Sequence, residues 1–267
     1  MRPHEWARLG QAERDAAYDT VAAVPDGAAR LGALRLASAA VRAAAPAGLD
    51  RAYGSGERER VDLFPANPRA PCLVFLHGGF WQSGSREDVC AVADGVRARG
   101  WAAAVPGHTL APEASLTRIV EQVHEALDLV AARIAGPLVL GGWEAGAHLA
   151  AMALGHPRVV GGLGICGVYD LGPVRDTRWN RALHLTPAEV DRLSPLRLPP
   201  VPKPFVVAYG ARGLPESVEN ARAFYAHREV AGAPGRLLSL PGHDQVSALD
   251  ELRAPNGVLA SAARTLA

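Results

Sequence analysis

One carboxylate stands at the centre of a turn whose residue spacing is typical of nucleophilic catalysis. The stretch "GGWEAGAHLA" (residues 141–150) contains the spacing Gly142-x-Glu144-x-Gly146. With serine at the centre, this spacing marks a nucleophile elbow, a sharp strand-to-helix turn that presents one side chain to a substrate. Here the presented group is Glu144, whose carboxylate could attack an electrophile, move a proton, or take no part in chemistry.

A second segment supplies groups that could stabilise negative charge. "HGGFW" (77–81) follows a continuous apolar run, and its glycines allow backbone N–H groups to turn toward a developing oxyanion. The N–H of Ala145 lies at the positive end of the helix that follows the elbow. We therefore predict an oxyanion hole formed by Gly78, Gly79 and Ala145.

A histidine near the C-terminus completes the expected reaction centre. His243 follows the predicted strand in "RLLSLPGHD" (236–244), which is the place in the chain order where a general base is expected. We predict that His243 and Glu144 form the catalytic pair. Four side chains near these segments are expected to line the substrate pocket, namely Phe80, Trp81, Trp143 and His108. No spacing suggests a metal site, and we expect no cofactor.

Alternating strand and helix patterns must position these residues. Continuous apolar runs predict buried strands, and apolar residues at i, i+3, i+4 and i+7 over 115–135 predict an amphipathic helix. Strands are predicted at 59–64, 71–77, 101–106, 136–142, 159–166, 204–210 and near 236–241. This alternation of strands and helices predicts a single α/β domain over 1–267 with a mostly parallel sheet and helices on both faces. Residues 1–50 are predicted to form an N-terminal helical lid.

Composition narrows the class of protein. The 267-residue chain has a formal net charge of +1 and an apolar fraction of 49%, which argues against a nucleic-acid footprint. Three scattered cysteines favour a reducing cytoplasm, and no segment is long and apolar enough to span a membrane. We expect a cytoplasmic protein with a small-molecule substrate.

The sequence resembles the kynurenine formamidases (arylformamidases), which are members of the α/β-hydrolase superfamily. The resemblance covers nearly the whole chain. It is carried by "ERDAAYDTVAAVPD", "LVFLHGGFWQSG", "LAPEASLTRIVEQV", "GICGVYDL" and "LSPL". It implies an α/β-hydrolase fold and hydrolysis of amides or esters, typically N-formyl anilides, by a Ser-Asp/Glu-His triad without a cofactor. It also implies a homodimer.

The chain departs from this family at the positions that matter most for its chemistry. Glu144 occupies the serine position, and Gly213 falls where the resemblance implies the acidic member of the triad. The family's "PDYRLAPE" is "PGHTLAPE" here, so that Gly107 and His108 replace an acid and an aromatic ring. Loss of the serine alone costs about six powers of ten in turnover, which excludes ordinary serine hydrolysis.

Several interpretations of the site remain open. Glu144 could be a nucleophile, or it could be a general base or acid that works with His243. The substrate would be a small amide, ester, lactone or other electrophile, which could be aromatic. The reaction would be of the hydrolase or lyase type. Alternatively, Glu144 could fold onto the oxyanion-hole amides of an inactive homologue that binds a ligand or partner. A serine elsewhere, such as Ser83, could also be the nucleophile.

Overall fold

A computed structural model describes residues 6–267, so residues 1–5 of the predicted N-terminal segment lie outside the described residues. Its centre is an eight-stranded sheet in the order β1-β2-β4-β3-β5-β6-β7-β8. The strands are β1 (Arg51–Ala52), β2 (Arg60–Phe64), β3 (Cys72–Leu76), β4 (Ala102–Pro106), β5 (Leu138–Trp143), β6 (Val159–Ile165), β7 (Phe205–Gly210) and β8 (Gly235–Leu240). The six strands from β3 to β8 are parallel, whereas β1 and β2 pair antiparallel at one edge.

Helices cover both faces of this sheet. They are α1 (Gln11–Ala17), α2 (Gly27–Ala43), α3 (Arg86–Val89), α4 (Asp94–Arg97), α5 (Leu116–Arg133), α6 (Ala145–Met152), α7 (Leu171–Arg175), α8 (Asn180–Leu183), α9 (Pro187–Leu193), α10 (Pro215–Val230), α11 (Asp250–Arg253) and α12 (Val258–Arg264). Two clusters of buried apolar residues, one on each face, form the core. The predicted fold class, a mostly parallel sheet with helices on both faces, is confirmed.

The central strands are apolar because both of their faces are covered. Every residue of β3, β4, β5 and β7 is buried, which matches the continuous apolar runs in the sequence. Parallel strands end at the same edge of a sheet, so the loops after β3 and β5 come together there. These loops carry "HGGFW" and the elbow, and the fold thereby brings the two predicted segments side by side.

Two regions differ from the sequence prediction. The sequence predicts one helix near 85–99, opened by Ser85 and closed by Gly100, whereas the structure has α3, a 3₁₀ turn and α4 there. A close approach by the C-terminal segment accompanies the break, since a Cβ at Gly95 would lie 2.2 Å from the Leu252 carbonyl oxygen. The helices α7, α8 and α9 between β6 and β7 were not predicted, because each is too short to show a helical period.

The N-terminal helix α2 is anchored to the body of the protein by buried polar contacts. The Ser38 hydroxyl donates to the Asp88 carbonyl (3.0 Å) and accepts from the Ala91 N–H (3.1 Å). Arg42 forms an ion pair with the fully buried Asp62 on β2 (3.1 Å). Helix α2, which comprises 17 residues of the predicted lid, is therefore attached to the body of the protein through these contacts. No helix within residues 6–267 has both the length and the apolar character needed to cross a membrane.

Candidate active site at the elbow

Glu144 lies between the end of β5 and the start of α6 in an unusual backbone conformation. Its φ of 49° and ψ of −112° are rarely adopted by residues other than glycine. Such a conformation costs about 1–3 kcal/mol and persists only where the surroundings impose it. The Glu144 N–H donates to the Ile165 carbonyl at 2.9 Å, which ties the turn to the neighbouring strand β6.

Two glycines impose this turn. A Cβ at Gly142 would lie 2.1 Å from the Gly146 carbonyl oxygen, and a Cβ at Gly146 would lie 2.1 Å from the Leu76 carbonyl oxygen. Both distances are far below van der Waals contact, so the backbone can pack this closely only where both residues lack a side chain. The spacing Gly142-x-Glu144-x-Gly146 is therefore a packing requirement, and its apex is Glu144.

The carboxyl group of Glu144 is buried and only partly satisfied. Its Oε2 accepts a long hydrogen bond of 3.4 Å from the Gly79 N–H, and the Thr20 hydroxyl also hydrogen-bonds the carboxyl. Its Oε1 has no hydrogen-bond partner among the described residues. Burial raises the pKa of Glu144 to about 7, against the opposing effect of these hydrogen bonds and with a smaller contribution from the charge of Asp19. The group is thus poised to exchange a proton near neutral pH.

Two of the three residues predicted to form the oxyanion hole, Gly78 and Gly79, lie close to this carboxyl. Gly79 has a φ of +104°, which turns its N–H toward Glu144. Gly78 is in close contact, since a Cβ there would lie 3.1 Å from the carboxylate Oε2. As the first residue of α6, Ala145 has an N–H with no acceptor inside its own helix. The Glu144 side chain therefore extends toward the oxyanion loop. The alternative interpretation, in which Glu144 folds onto the amides of an inactive homologue, requires this same direction.

His243 makes no hydrogen bond or ion pair with Glu144 among the described residues. Its Nδ1 hydrogen-bonds the Ser247 carbonyl at 3.0 Å, and its Nε2 pairs with a Glu251 carboxylate oxygen at 3.2 Å. Both ring nitrogens are thus engaged within the C-terminal segment, and the predicted Glu144–His243 pair is not formed. The position of His243 in the chain order indicated a base, but the side chain is held by neighbours that follow it in sequence.

No carboxylate occupies the position that corresponds to the family's triad acid. The backbone of Gly213 is held by a hydrogen bond from its N–H to the Gly210 carbonyl at 3.0 Å. The buried side chain of Gln245 lies beside it, so that a Cβ at Gly213 would be 3.4 Å from the Gln245 amide oxygen. The Gln245 carbonyl in turn accepts from the Trp143 indole N–H at 2.8 Å. An amide thus fills the space next to Gly213.

A cavity of about 110 Å³ opens beside Glu144. Of the four residues expected to line the substrate pocket, Trp143 lies in its wall, and Phe80, Trp81 and His108 do not. The wall also includes Val21, Leu31 and Leu34 from the N-terminal segment, which the sequence analysis did not identify as pocket residues.

The other three aromatic residues pack behind the cavity. Phe80 stacks on Trp179 with ring centroids 4.7 Å apart. Trp81 is fully buried and meets His148 edge to face at 5.0 Å. His108 stacks on the His77 ring at 4.4 Å. These contacts hold the oxyanion loop and its surroundings in place, which is a structural role.

Two further predictions concern nucleophiles and metals. The Ser83 hydroxyl donates to the Gly79 carbonyl at 3.1 Å and has no basic side chain bound to it among the described residues. Within residues 6–267, no group of three or more histidine, cysteine, aspartate or glutamate side chains is arranged to hold a metal ion. Glu144 is therefore the titratable side chain at the elbow that is the candidate reactive group.

Two curated proteins that are similar in sequence to this chain are both kynurenine formamidases. A kynurenine formamidase from Danio rerio is 28% identical over 86% of this chain and 85% of its own length. A kynurenine formamidase from Salmo salar is 29% identical over 94% of this chain and 88% of its own. No protein-family model matches the sequence.

Solved structures show the same architecture. A putative thioesterase from Silicibacter sp. tm1040 superposes with a TM-score of 0.86 at 25% identity, covering 93% of this chain and 98% of that one. Esterase LipW from Mycobacterium marinum superposes with a TM-score of 0.71 at 22% identity, covering 99% and 97%. With the sheet order and the elbow after β5, these likenesses define an α/β-hydrolase.

Within that superfamily, the chain is similar over most of its length to the two kynurenine formamidases named above. It has the fold and the relatives of a hydrolytic enzyme, and Glu144 stands at the apex of its elbow.

Proposed function

We propose that this protein is an enzyme that hydrolyses a small, uncharged amide, ester or lactone, with Glu144 as the general base. The observation that carries the proposal is the buried carboxyl at the elbow, whose pKa is raised to about 7 beside a cavity and the oxyanion loop. A base works best when its pKa lies near the operating pH. The fish relatives are kynurenine formamidases, which supports an amide among the first substrates to test.

The proposed reaction has two proton transfers. Ionised Glu144 removes a proton from a water molecule as the water oxygen attacks the carbonyl carbon of the substrate. The carbonyl oxygen becomes an oxyanion, which the N–H groups of Gly78, Gly79 and Ala145 stabilise. Collapse of this intermediate breaks the bond to the leaving nitrogen or oxygen, and neutral Glu144 returns the proton to the leaving group. A carboxylic acid and an amine or alcohol leave, and the carboxylate is regenerated.

We favour the role of base over that of nucleophile. Attack of the Glu144 carboxylate on an acyl carbon would give a mixed anhydride, a less stable intermediate than an ester. The proposal also leaves His243 outside the proton transfers, because its two ring nitrogens hydrogen-bond Ser247 and Glu251.

The test compares Glu144→Gln with wild type on formamides, short esters and small lactones. Wild type should show a rise of kcat/KM with pH through about 7, which Glu144→Gln should lose together with at least about a hundredfold of activity. Glu219→Gln, which changes an exposed carboxylate on α10, is the control and should match wild type. Activity that survives in Glu144→Gln would refute the proposal.

Isotope labelling separates base from nucleophile. In single-turnover hydrolysis in ¹⁸O-water, a base places the label in the acid product and leaves Glu144 unlabelled. A nucleophilic Glu144 would form a mixed anhydride with the acyl group, which quenching within the turnover leaves as a mass increase of that acyl group on Glu144, and Glu144 would carry the label where water opens the anhydride at the glutamyl carbonyl. Mass spectrometry of the peptide that contains residues 141–150 reads this outcome directly.

A second candidate function is non-catalytic binding of a small ligand. It is supported by the hydrogen bond from the Gly79 N–H to Glu144 Oε2, since a donor needed for an oxyanion is already engaged by the protein's own carboxyl. In this case wild type and Glu144→Gln would be equally inert on every substrate, while a ligand would still bind the cavity.

A further inference from the structure

We infer that the N-terminal helix α2 sets the size of the group accepted beside Glu144, and that Leu31 and Leu34 are the residues that set it. The ligand class is a short, uncharged aliphatic group. The inference rests on the proposed function for the location of the site, although its test does not require turnover.

The shape of the cavity supports this assignment. Leu31 and Leu34 of α2 line the cavity together with Val21 from the preceding loop, and Trp143 and Glu144 line it from the elbow. The volume of about 110 Å³ is smaller than the roughly 150 Å³ of an engineered apolar cavity that binds benzene. A short alkyl chain is therefore the group that this volume matches best.

The charges around the cavity favour an uncharged ligand. Arg35 on α2 and Asp88 on α3 line the cavity, but they form an ion pair with each other at 3.2 Å. His77 in the wall is neutral at physiological pH, because burial lowers its pKa to about 4. Apart from Glu144 itself, the lining offers no unpaired charge among the described residues to receive an ionic group.

The wall formed by α2 is held firmly enough to act as a size limit. The Ser38 hydroxyl bridges the Asp88 carbonyl and the Ala91 N–H, one turn beyond Leu34 on the same helix. Arg42 extends the attachment to the buried Asp62. A longer ligand would have to displace these contacts, and we expect it to be excluded.

The experiment measures binding of linear primary amides of one to six carbons by titration calorimetry. In wild type, each added methylene should raise the affinity about fourfold until the cavity is full, after which the affinity should fall. Leu34→Ala removes three side-chain carbons from the wall, and its longest well-bound amide should be two to three carbons longer. Leu36→Ala is the matched control, because Leu36 lies on the same helix with its side chain 76% exposed.

A second pair of variants guards against poor folding of Leu34→Ala. Leu31 is only partly buried, so Leu31→Ala should fold and should also lengthen the accepted chain. Leu31→Phe should shorten it. An unchanged limit in the Leu31 and Leu34 variants, an equal shift in Leu36→Ala, or no binding of any amide to wild type would overturn the inference.

The two proposals fail in different ways. If the binding limit shifts as expected while wild type hydrolyses none of the amides or esters, the proposed reaction is refuted and the size limit stands. If wild type hydrolyses amides but the variants keep the wild-type limit, the reaction stands and the role of α2 is refuted.

Discussion

Replacement of Glu144 by glutamine should make the protein more stable at neutral and alkaline pH. The carboxyl is buried with one oxygen unpartnered, and its pKa rises from 4.5 to about 7 because burial disfavours the charged form. An acid with a higher pKa in the folded chain than in the unfolded chain binds more protons when folded. Stability is therefore fully present below pH 4.5 and falls as the pH rises toward 7.

The magnitude follows from the two pKa values. One pH unit corresponds to about 1.4 kcal/mol for each proton linked to folding. Relative to its value at low pH, the ionisation of Glu144 should lower the free energy of unfolding by about 1 kcal/mol at pH 5, about 2 kcal/mol at pH 6 and about 3 kcal/mol at pH 8. Glutamine has nearly the same shape and cannot ionise, so the Glu144→Gln variant should not show this loss.

Urea unfolding of both proteins at pH 5, 6, 7 and 8 provides the assay. Other titrating groups are common to the two proteins, so the difference in unfolding free energy isolates Glu144. That difference should grow by about 2 kcal/mol in favour of Glu144→Gln between pH 5 and pH 8, and should change little above pH 8. A difference that is constant with pH, or that favours wild type as the pH rises, would show that Glu144 is solvated or paired with a cation and would refute this description of the site.

Three further results are expected. Gly146→Ala should destabilise the fold by about 3 kcal/mol or more, because its Cβ would lie 2.1 Å from a carbonyl oxygen, whereas Gly32→Ala, with no atom within 4 Å, should stabilise α2 by about 0.5–1 kcal/mol in thermal unfolding. His243→Ala should change turnover by less than about threefold, and a loss of a hundredfold in steady-state kinetics would show that the ring leaves Ser247 and Glu251 to join the reaction. Glu144→Ser should remain unlabelled by serine-directed phosphonates, because no basic side chain among the described residues hydrogen-bonds residue 144, and rapid labelling would contradict this reasoning.

The elbow and the sheet could be predicted because local rules determine them. Both glycines of the elbow are required by backbone contacts at fixed spacing, so the sequence alone identified Glu144 as the apex. The buried parallel strands were visible as continuous apolar runs, and β3 and β5 are buried throughout. Helix α5 begins at a recognisable cap, where the Ser115 hydroxyl accepts from the Arg118 N–H.

The partners of the candidate site residues could not be predicted in the same way. The orientation of the His243 ring depends on its ion pair with Glu251, which lies eight residues later, and on its hydrogen bond to the Ser247 carbonyl. The role of α2 depends on contacts with Asp88 and Asp62, which lie far away in sequence. An alanine-rich N-terminal helix predicts a lid, and the sequence alone does not show the buried polar contacts that attach this helix to the rest of the protein.

The contacts that fix the main-chain path of the elbow, namely the bond from the Glu144 N–H to the Ile165 carbonyl and the close approaches at Gly142 and Gly146, are made by backbone atoms. Nothing in them depends on the identity of the apex side chain, so evolution can exchange that residue by a change of one or two nucleotides while the main-chain path is kept. The reactive group at this position can consequently change while the fold of the turn stays the same. Searches that require a serine at the apex of the elbow will overlook chains that have the same turn with a different side chain at its apex.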